Sequence, residues 1–405
     1  MIKTARGIQK ISSKIFLEHS NSSNYYRFGV EVFGPFLYSY TYWLYSSIKK
    51  TKQLKVFFLS RDGYMMKKAF DILNTDNIPC EYVYFSRKSI RQSLLNKCNT
   101  YSESLQYLTW ERYLTFGKIL EYYGFSENER FEISKKYKIS LKADFAYSGL
   151  EDNKVLASIY YDLKSEIDKY SMLQEELLEK YLIQINMDGN CAIVDIGWHG
   201  SMQFYLEKFI KEKGMNVSLS GYYVGINPNV PLAGKTYGYL FDENNLRLRK
   251  SILCFFGGYE KLFQSLEGST YGYVKENARI IPELSTYEYQ NDKKSIQCIK
   301  EWQHGAMKFV EKAYQLKVVL TNEKEWAYPL IKVGKSPTLE QVYLFKFLYN
   351  VDGTKVYYIC QKPLYKYSIK EFLHDFSNSV WKTGFMKSAF KLPLPYYWIY
   401  EMIRK

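Results

Sequence analysis

Two short segments carry the residue types that chemistry on an anionic ligand requires. One is Ser60-Arg61-Asp62-Gly63, and the other runs Asp195-Ile196-Gly197-Trp198-His199-Gly200-Ser201. Each supplies a carboxylate, Asp62 or Asp195, able to orient hydroxyls, hold a metal, or act as acid and base. Each supplies glycine, which lets a backbone approach a ligand closely. Each also leads into a helical pattern, and a helix N-terminus presents free N–H groups and a favourable dipole to an anion. Gly200-Ser201 is therefore a phosphate-cradle candidate, although Ser201 reads equally as an ordinary N-cap, and so does Asp62 at the head of the first helix. Arg61, Arg87 and Arg91 cluster around the first two strand ends and suit phosphate or carboxylate recognition; for Arg91 a surface salt bridge is the competing reading. Trp198 can stack on a sugar or base face or plug the sheet edge. His199 can serve as acid or base, or be structural, since no partner is identifiable. Ser60 and Gln203 complete the candidate set.

The elements that must position these residues follow from periodicity. Lys55 to Leu59 is a short continuous apolar run, the pattern of a strand buried on both faces. A helical pattern follows to Leu73, and Glu81 to Phe85 gives a second strand. Cys191 to Val194 is a third strand, followed by a helix over Met202 to Glu212, and Val217 to Gly225 a further one. These are strand–loop–helix units of the doubly wound class, in which ligands bind beyond the carboxyl ends of strands. Apolar residues spaced by three and four over 25–50 predict a helix opened by Gly34-Pro35, and similar spacing predicts one over 295–320. A turn-rich stretch around 255–272 holds Glu260, Glu267, Gly268 and Ser269. The expected organisation is an α/β fold with a Rossmann-like, parallel-rich sheet. A basic lead-in (1–24) precedes the first half of the α/β domain (25–100). A helical insertion or cap (101–185), the second half (186–320) and an aromatic, basic C-terminal extension (321–405) follow.

Composition narrows the function classes. The chain has 405 residues, a formal charge of +14, and 18% aromatic residues, including 41 Tyr and 25 Phe. Charge and aromatics together invite nucleic acid or a membrane surface as partner. The charge is mostly lysine, a poor bidentate reader of bases, and no nucleic-acid-binding signature accompanies it, so nucleic acid is disfavoured. No apolar run is long enough to span a bilayer, and residues 1–14 lack the apolar core of a signal peptide. Six cysteines are scattered without CxxC spacing, which fits reduced thiols and a cytoplasmic location. The C-terminal segment alternates lysines 382, 387 and 391 with Trp381, Phe385, Phe390, Tyr396, Tyr397 and Trp398. That pattern suits either peripheral contact with an anionic bilayer or docking on the protein's own core.

Several segments together carry a family resemblance. Tyr26-Arg27-Phe28-Gly29 with Gly34-Pro35, FLSRDGYMMKK (58–68), YFSRKSIR (84–91), VDIGWHGSMQ (194–203), Glu267-Gly268-Ser269 with Gly272-Tyr273, and Gln303-His304-Gly305 span about residues 25 to 315. In order and spacing they resemble bacterial proteins described as predicted hydrolases of the HAD superfamily, linked to glycosyltransferases of cell-surface polysaccharide synthesis. The resemblance implies a HAD-like fold and a phosphorylated sugar, nucleotide-sugar or lipid-linked glycan as ligand. It also implies a glycosyltransferase as partner; if phosphate is held, Mg²⁺ is the expected cofactor, since it prefers few carboxylates plus phosphate oxygens. The chain departs from it: HAD phosphatases use a nucleophilic Asp in a DxD arrangement, and here Ser60 occupies the nucleophile position and Asp62 the acid–base position, while Asp195-Ile196-Gly197 keeps the first Asp and loses the second. The residues before Tyr25 contain no Asp, so an upstream FDIFDT-type segment is missing. A strand ending in Arg-Asp-Gly and a later Asp195 with Gly200-Ser201 also look somewhat like a type I phosphoribosyltransferase, which makes a sugar-phosphate transferase the alternative enzyme. A non-catalytic partner domain of a glycosyltransferase is the other alternative.

Overall fold

The computed structural model of the chain describes residues 2–228, 231–352 and 354–403. Its strands are β1 (Lys55–Leu59), β2 (Cys80–Val83), β3 (Tyr113–Thr115), β4 (Asp144–Ala146), β5 (Gly189–Trp198), β6 (Val217–Ile226), β7 (Lys235–Phe241), β8 (Thr270–Glu276), β9 (Arg279–Leu284), β10 (Tyr349–Asp352) and β11 (Thr354–Tyr357). Five of them form one sheet in the order β2-β1-β5-β6-β7, and every pairing in it is parallel. The pairs β3–β4, β8–β9 and β10–β11 are separate antiparallel ribbons.

The sheet is covered on both faces, which is why β1 reads as an unbroken apolar run. Successive side chains point to opposite sides. Val56, Phe58, Ala192, Val194, Ile196 and Trp198 enter one core, while Phe57, Leu59, Cys191 and Ile193 enter the other. The first core is closed by the helices Gly34–Thr51, Gly63–Leu73 and Lys293–Gln315. The second is closed by Lys164–Gln184 and Ser201–Glu212. The 101–185 segment therefore belongs to the sheet's second core, through Leu108, Leu114, Ile167, Leu178 and Leu182. Much of the aromatic excess is packing material: Tyr40, Tyr160, Tyr239, Tyr259, Trp302 and Trp381 are all fully buried.

Strand order fixes where a ligand can sit. From β1 the chain steps outward to β2, then returns across β1 to β5 and continues away through β6 and β7. The direction of winding reverses between β1 and β5, which opens a crevice at their carboxyl ends. The two candidate loops leave these two strands.

Some boundaries differ from the sequence expectations. Residues 1–24 contain an ordered helix, Ile2–Glu18, because Ile8, Ile11 and Ile15 recur at helical spacing and are buried. The 25–50 helix is two helices, Asn24–Phe28 and Gly34–Thr51, joined by a π-helical turn, with Pro35 in the first turn of the second. The C-terminal extension packs on the protein: Trp381, Phe385 and Tyr396 are buried, and the Trp381 ring lies 4.5 Å from that of Phe255. Phe390 and Trp398 are exposed. Among the described residues, no helix is long and apolar enough to cross a membrane.

Candidate functional site

A cleft of about 910 Å³ opens at the carboxyl ends of β1, β2, β5 and β6. Its walls include Ser60, Arg61, Asp62, Arg87, Asp195, Gly197, Trp198, His199, Gly200 and Ser201. Gly63, Arg91 and Gln203 do not line it.

The loop after β1 is tied down on all sides. The Ser60 N–H donates to the Val83 carbonyl at 2.8 Å and its hydroxyl to the Phe85 carbonyl at 3.1 Å. Arg61 borders the cleft, but its guanidinium is committed. It donates to Glu288 at 2.6 Å, Gln264 at 3.0 Å and Ser269 at 3.2 Å. Lys261 donates to the same Glu288 oxygen at 2.6 Å. Arg61 and Lys261 thus share one carboxylate, so the trio keeps a net positive charge, and Arg61, held through its two terminal nitrogens, acts as a brace. Gly63 serves packing: a Cβ there would lie 2.9 Å from the Phe58 carbonyl carbon. Asp62 occupies the N-cap position of Gly63–Leu73 without a capping hydrogen bond from its side chain, so its carboxylate is left to the cleft.

The loop after β5 is built differently. Gly197, Trp198 and Gly200 all have positive φ, 101°, 69° and 62°. That conformation is strained for a tryptophan, and surrounding contacts hold it. The indole stacks on Phe241 at 6.1 Å and 9°, and its N–H donates to Glu260 at 3.1 Å. Trp198 is therefore mainly a plug that also positions a carboxylate. Gly200 is the N-cap of Ser201–Glu212, and no side chain caps that helix. Ser201 lies inside the first turn, so its N-cap reading does not hold, and the helix begins uncapped at the cleft.

The remaining candidates separate clearly. Arg87 is exposed at the rim, and its charge acts on Asp195, Glu260 and His199. Arg91 faces the other way: it is buried, bonds Thr109 at 3.0 Å and lies 4.5 Å over the Tyr205 ring. Gln203 is buried beneath the helix, donating to Glu207 at 2.6 Å and accepting from the Tyr223 hydroxyl at 2.8 Å.

Sequence reasoning gave no role to Glu260, which reaches the cleft from the helix Phe256–Phe263. Its signal was a lone acid inside the apolar run 255–263, a placement that demands a partner or a function. Arg249, held to Asn227 at 2.5 Å, and Tyr400 also border the cleft.

The three carboxyl groups shape one another's protonation. Burial, then the charges of Asp195 and Glu260, hold Asp62 well above the usual carboxylate range, against the opposing pull of Arg61 and Lys261. Asp195 is pushed up to about 6 by burial and Glu260, and is held there by the backbone N–H groups of Ile196 and Gly197 and by Arg87, which favour its charged form. Glu260 is raised too, chiefly by burial. Burial and their mutual charges thus raise the proton affinity of all three acids, which suits carboxyls that hold a proton in one step and release it in another. His199 is pushed down by burial and by Arg87 and Arg249, so it is uncharged at neutral pH.

Among the described residues, no group of three or more His, Cys, Asp or Glu side chains is arranged to hold a metal ion. The cleft therefore offers an acidic floor beside a rim of Arg87, Arg249 and an uncapped helix start. No protein-family model matches the chain, and no curated protein resembles it in sequence.

Proposed function

We propose that this cleft receives a phosphorylated sugar and performs acid–base chemistry on it, as part of cell-surface polysaccharide synthesis. The sugar is a free sugar phosphate, a nucleotide-sugar or a lipid-linked glycan. The observation that carries the reading is the meeting of Asp62 and Asp195 in one cleft at the winding reversal, where burial raises the proton affinity of both. The phosphate is received by the start of Ser201–Glu212, the Gly200 backbone and Arg87. Asp195 withdraws a proton from the attacking hydroxyl or water, and Asp62 donates one to the departing oxygen. Glu260 positions Trp198 and raises the affinity of both carboxyls for protons. Mg²⁺, which favours one or two carboxylates plus phosphate oxygens, would be held by Asp62 or Asp195 together with the ligand's own phosphate, and would neutralise phosphate charge. A HAD-like fold is consistent with the parallel sheet. A phospho-aspartate route is not supported, since Ser60 stands at the nucleophile position with its hydroxyl on the Phe85 carbonyl.

The test is a panel of sugar phosphates and nucleotide-sugars, with and without Mg²⁺, read by thermal shift and by product analysis. Turnover of one member that is lost in Asp62→Asn and Asp195→Asn is the expected result. A ligand that raises the melting temperature without turnover would favour a binding domain that serves a glycosyltransferase. Ligand binding unaffected by changes at Arg87, Asp62 and Asp195 would remove the site.

A further inference from the structure

Exposed apolar side chains are unevenly distributed. Nine of the twenty-nine large ones among the described residues fall between 364 and 402, about a tenth of the chain. The helix Ile369–Asn378 has no buried residue. It turns Phe372 and Phe376 toward Phe385 and Phe390, at ring separations of 5.6 to 6.0 Å, and leaves Ile369 and Leu373 in solvent, 81% and 57% exposed. The turn 391–395 adds exposed Leu392 and Leu394, and the helix Tyr396–Ile403 adds Trp398 and Met402. Ring contacts from Phe372 to Phe390 and from Phe390 to Tyr396 join these parts into one corner. Lys366, Lys370 and Lys391 are exposed among them and pair with no carboxylate among the described residues. This corner meets the cleft. Tyr400, on the same helix as Trp398 and Met402, lines it, and Glu401 bonds Lys250 at 3.1 Å on the rim helix Arg249–Leu253 that also supplies Arg249.

We propose that this corner seats on an anionic lipid bilayer and brings the cleft mouth to headgroup level, so that the phosphorylated substrate is a lipid-anchored one. Apolar side chains interleaved with unpaired lysines match the two attractions of such a surface, insertion at the acyl boundary and attraction to acidic headgroups. The substrate clause rests on the cleft reading above, whereas the docking clause does not.

The experiment is co-sedimentation of the full chain with phosphatidylcholine vesicles and with vesicles containing acidic phosphatidylglycerol. Binding to the acidic vesicles alone, weakened by salt, is expected. Lys366→Glu with Lys370→Glu and Lys391→Glu should lower that binding by about a hundredfold, and Ile369→Ser with Leu373→Ser and Trp398→Ser should abolish it, with circular dichroism unchanged because every substituted residue is exposed. Asp62→Asn should bind vesicles as the parent does, which separates failure of the surface from failure of the cleft. A long-chain isoprenyl phosphate in acidic vesicles should then bind at least about tenfold better than a short-chain analogue in solution; equal binding would overturn the substrate clause. No pelleting, equal pelleting of the variants, or concentration-dependent dimers abolished by the apolar substitutions would overturn the docking clause.

Discussion

The loops after β1 and β5 start from the same plan, a parallel strand that ends in an Asp-containing turn before a helix, and they finish as opposites. After β1, the hydroxyl of Ser60 and the guanidinium of Arg61 are consumed by contacts inside the protein, and Gly63 lets the helix press onto Phe58. After β5, the chain takes three positive φ angles within four residues and starts a helix that no side chain caps. One loop is a brace that holds a single carboxyl out into the cleft. The other is a receptor whose uncapped helix start is left for a ligand. A site that has to bind an anion beside carboxylates needs both, because the acids must be fixed where charge repulsion would otherwise drive them apart.

The comparison breaks most easily at the carboxyls themselves. Asp62→Asn and Asp195→Asn should each lower turnover by roughly 10²- to 10⁴-fold, yet raise the melting temperature at pH 7, because each removes an acid whose ionisation the fold disfavours. A variant that loses stability along with activity would make the pair structural. Glu288→Gln tests the brace. It strips Arg61 and the buried Lys261 of their shared carboxylate and should cost about 3 kcal/mol in urea unfolding.

The pH dependence is the next largest effect. Asp195 has a folded pKa of about 6, above the unfolded aspartate value of about 3.9. The folded state therefore binds more protons between those values, and stability falls as pH rises from about 4 to 6. The stability gap between Asp195→Asn and the parent should reach about 1–3 kcal/mol at pH 7, the carboxyl being partly open to the cleft, and close toward pH 4. Thermal melts across that range check it. A smaller effect sharpens the receptor side: Arg87→Ala should weaken phosphate-ligand binding by about tenfold, roughly 1.4 kcal/mol, with little change in stability. Smallest of all, Ser60→Ala should cost about 1 kcal/mol or less, the value of one hydrogen bond, and leave turnover intact. A thousandfold loss would instead make Ser60 a nucleophile.

Much of this was legible in local patterns. The two strand–loop–helix units, their carboxylates and the uncapped glycine turn all lie within runs of about a dozen residues, where periodicity and turn chemistry operate. What could not be read depends on pairing at a distance. Arg91 follows the right strand, but a helical turn and the ring of Tyr205 carry it into the second core. Arg61 looks like a phosphate ligand until Glu288, 227 residues away, is found beside it. Glu260 is hidden by its apolar neighbours, which mark the helix as core and obscure the charged pair, Glu260 and Lys261, that reaches the cleft. The ordered N-terminal helix was missed because its basic residues outweigh the three isoleucines that dock it.

The Trp198–Glu260 hydrogen bond makes the site optically addressable. Excitation of an indole moves electron density from its pyrrole ring toward its benzene ring, so a negative charge at the pyrrole N–H stabilises the excited state and shifts emission to the red. Glu260 sits at that N–H and shares its proton affinity with Asp62 and Asp195. The difference in emission between the parent and Trp198→Phe is therefore a built-in readout of how many protons the acidic floor carries, usable before any substrate has been found.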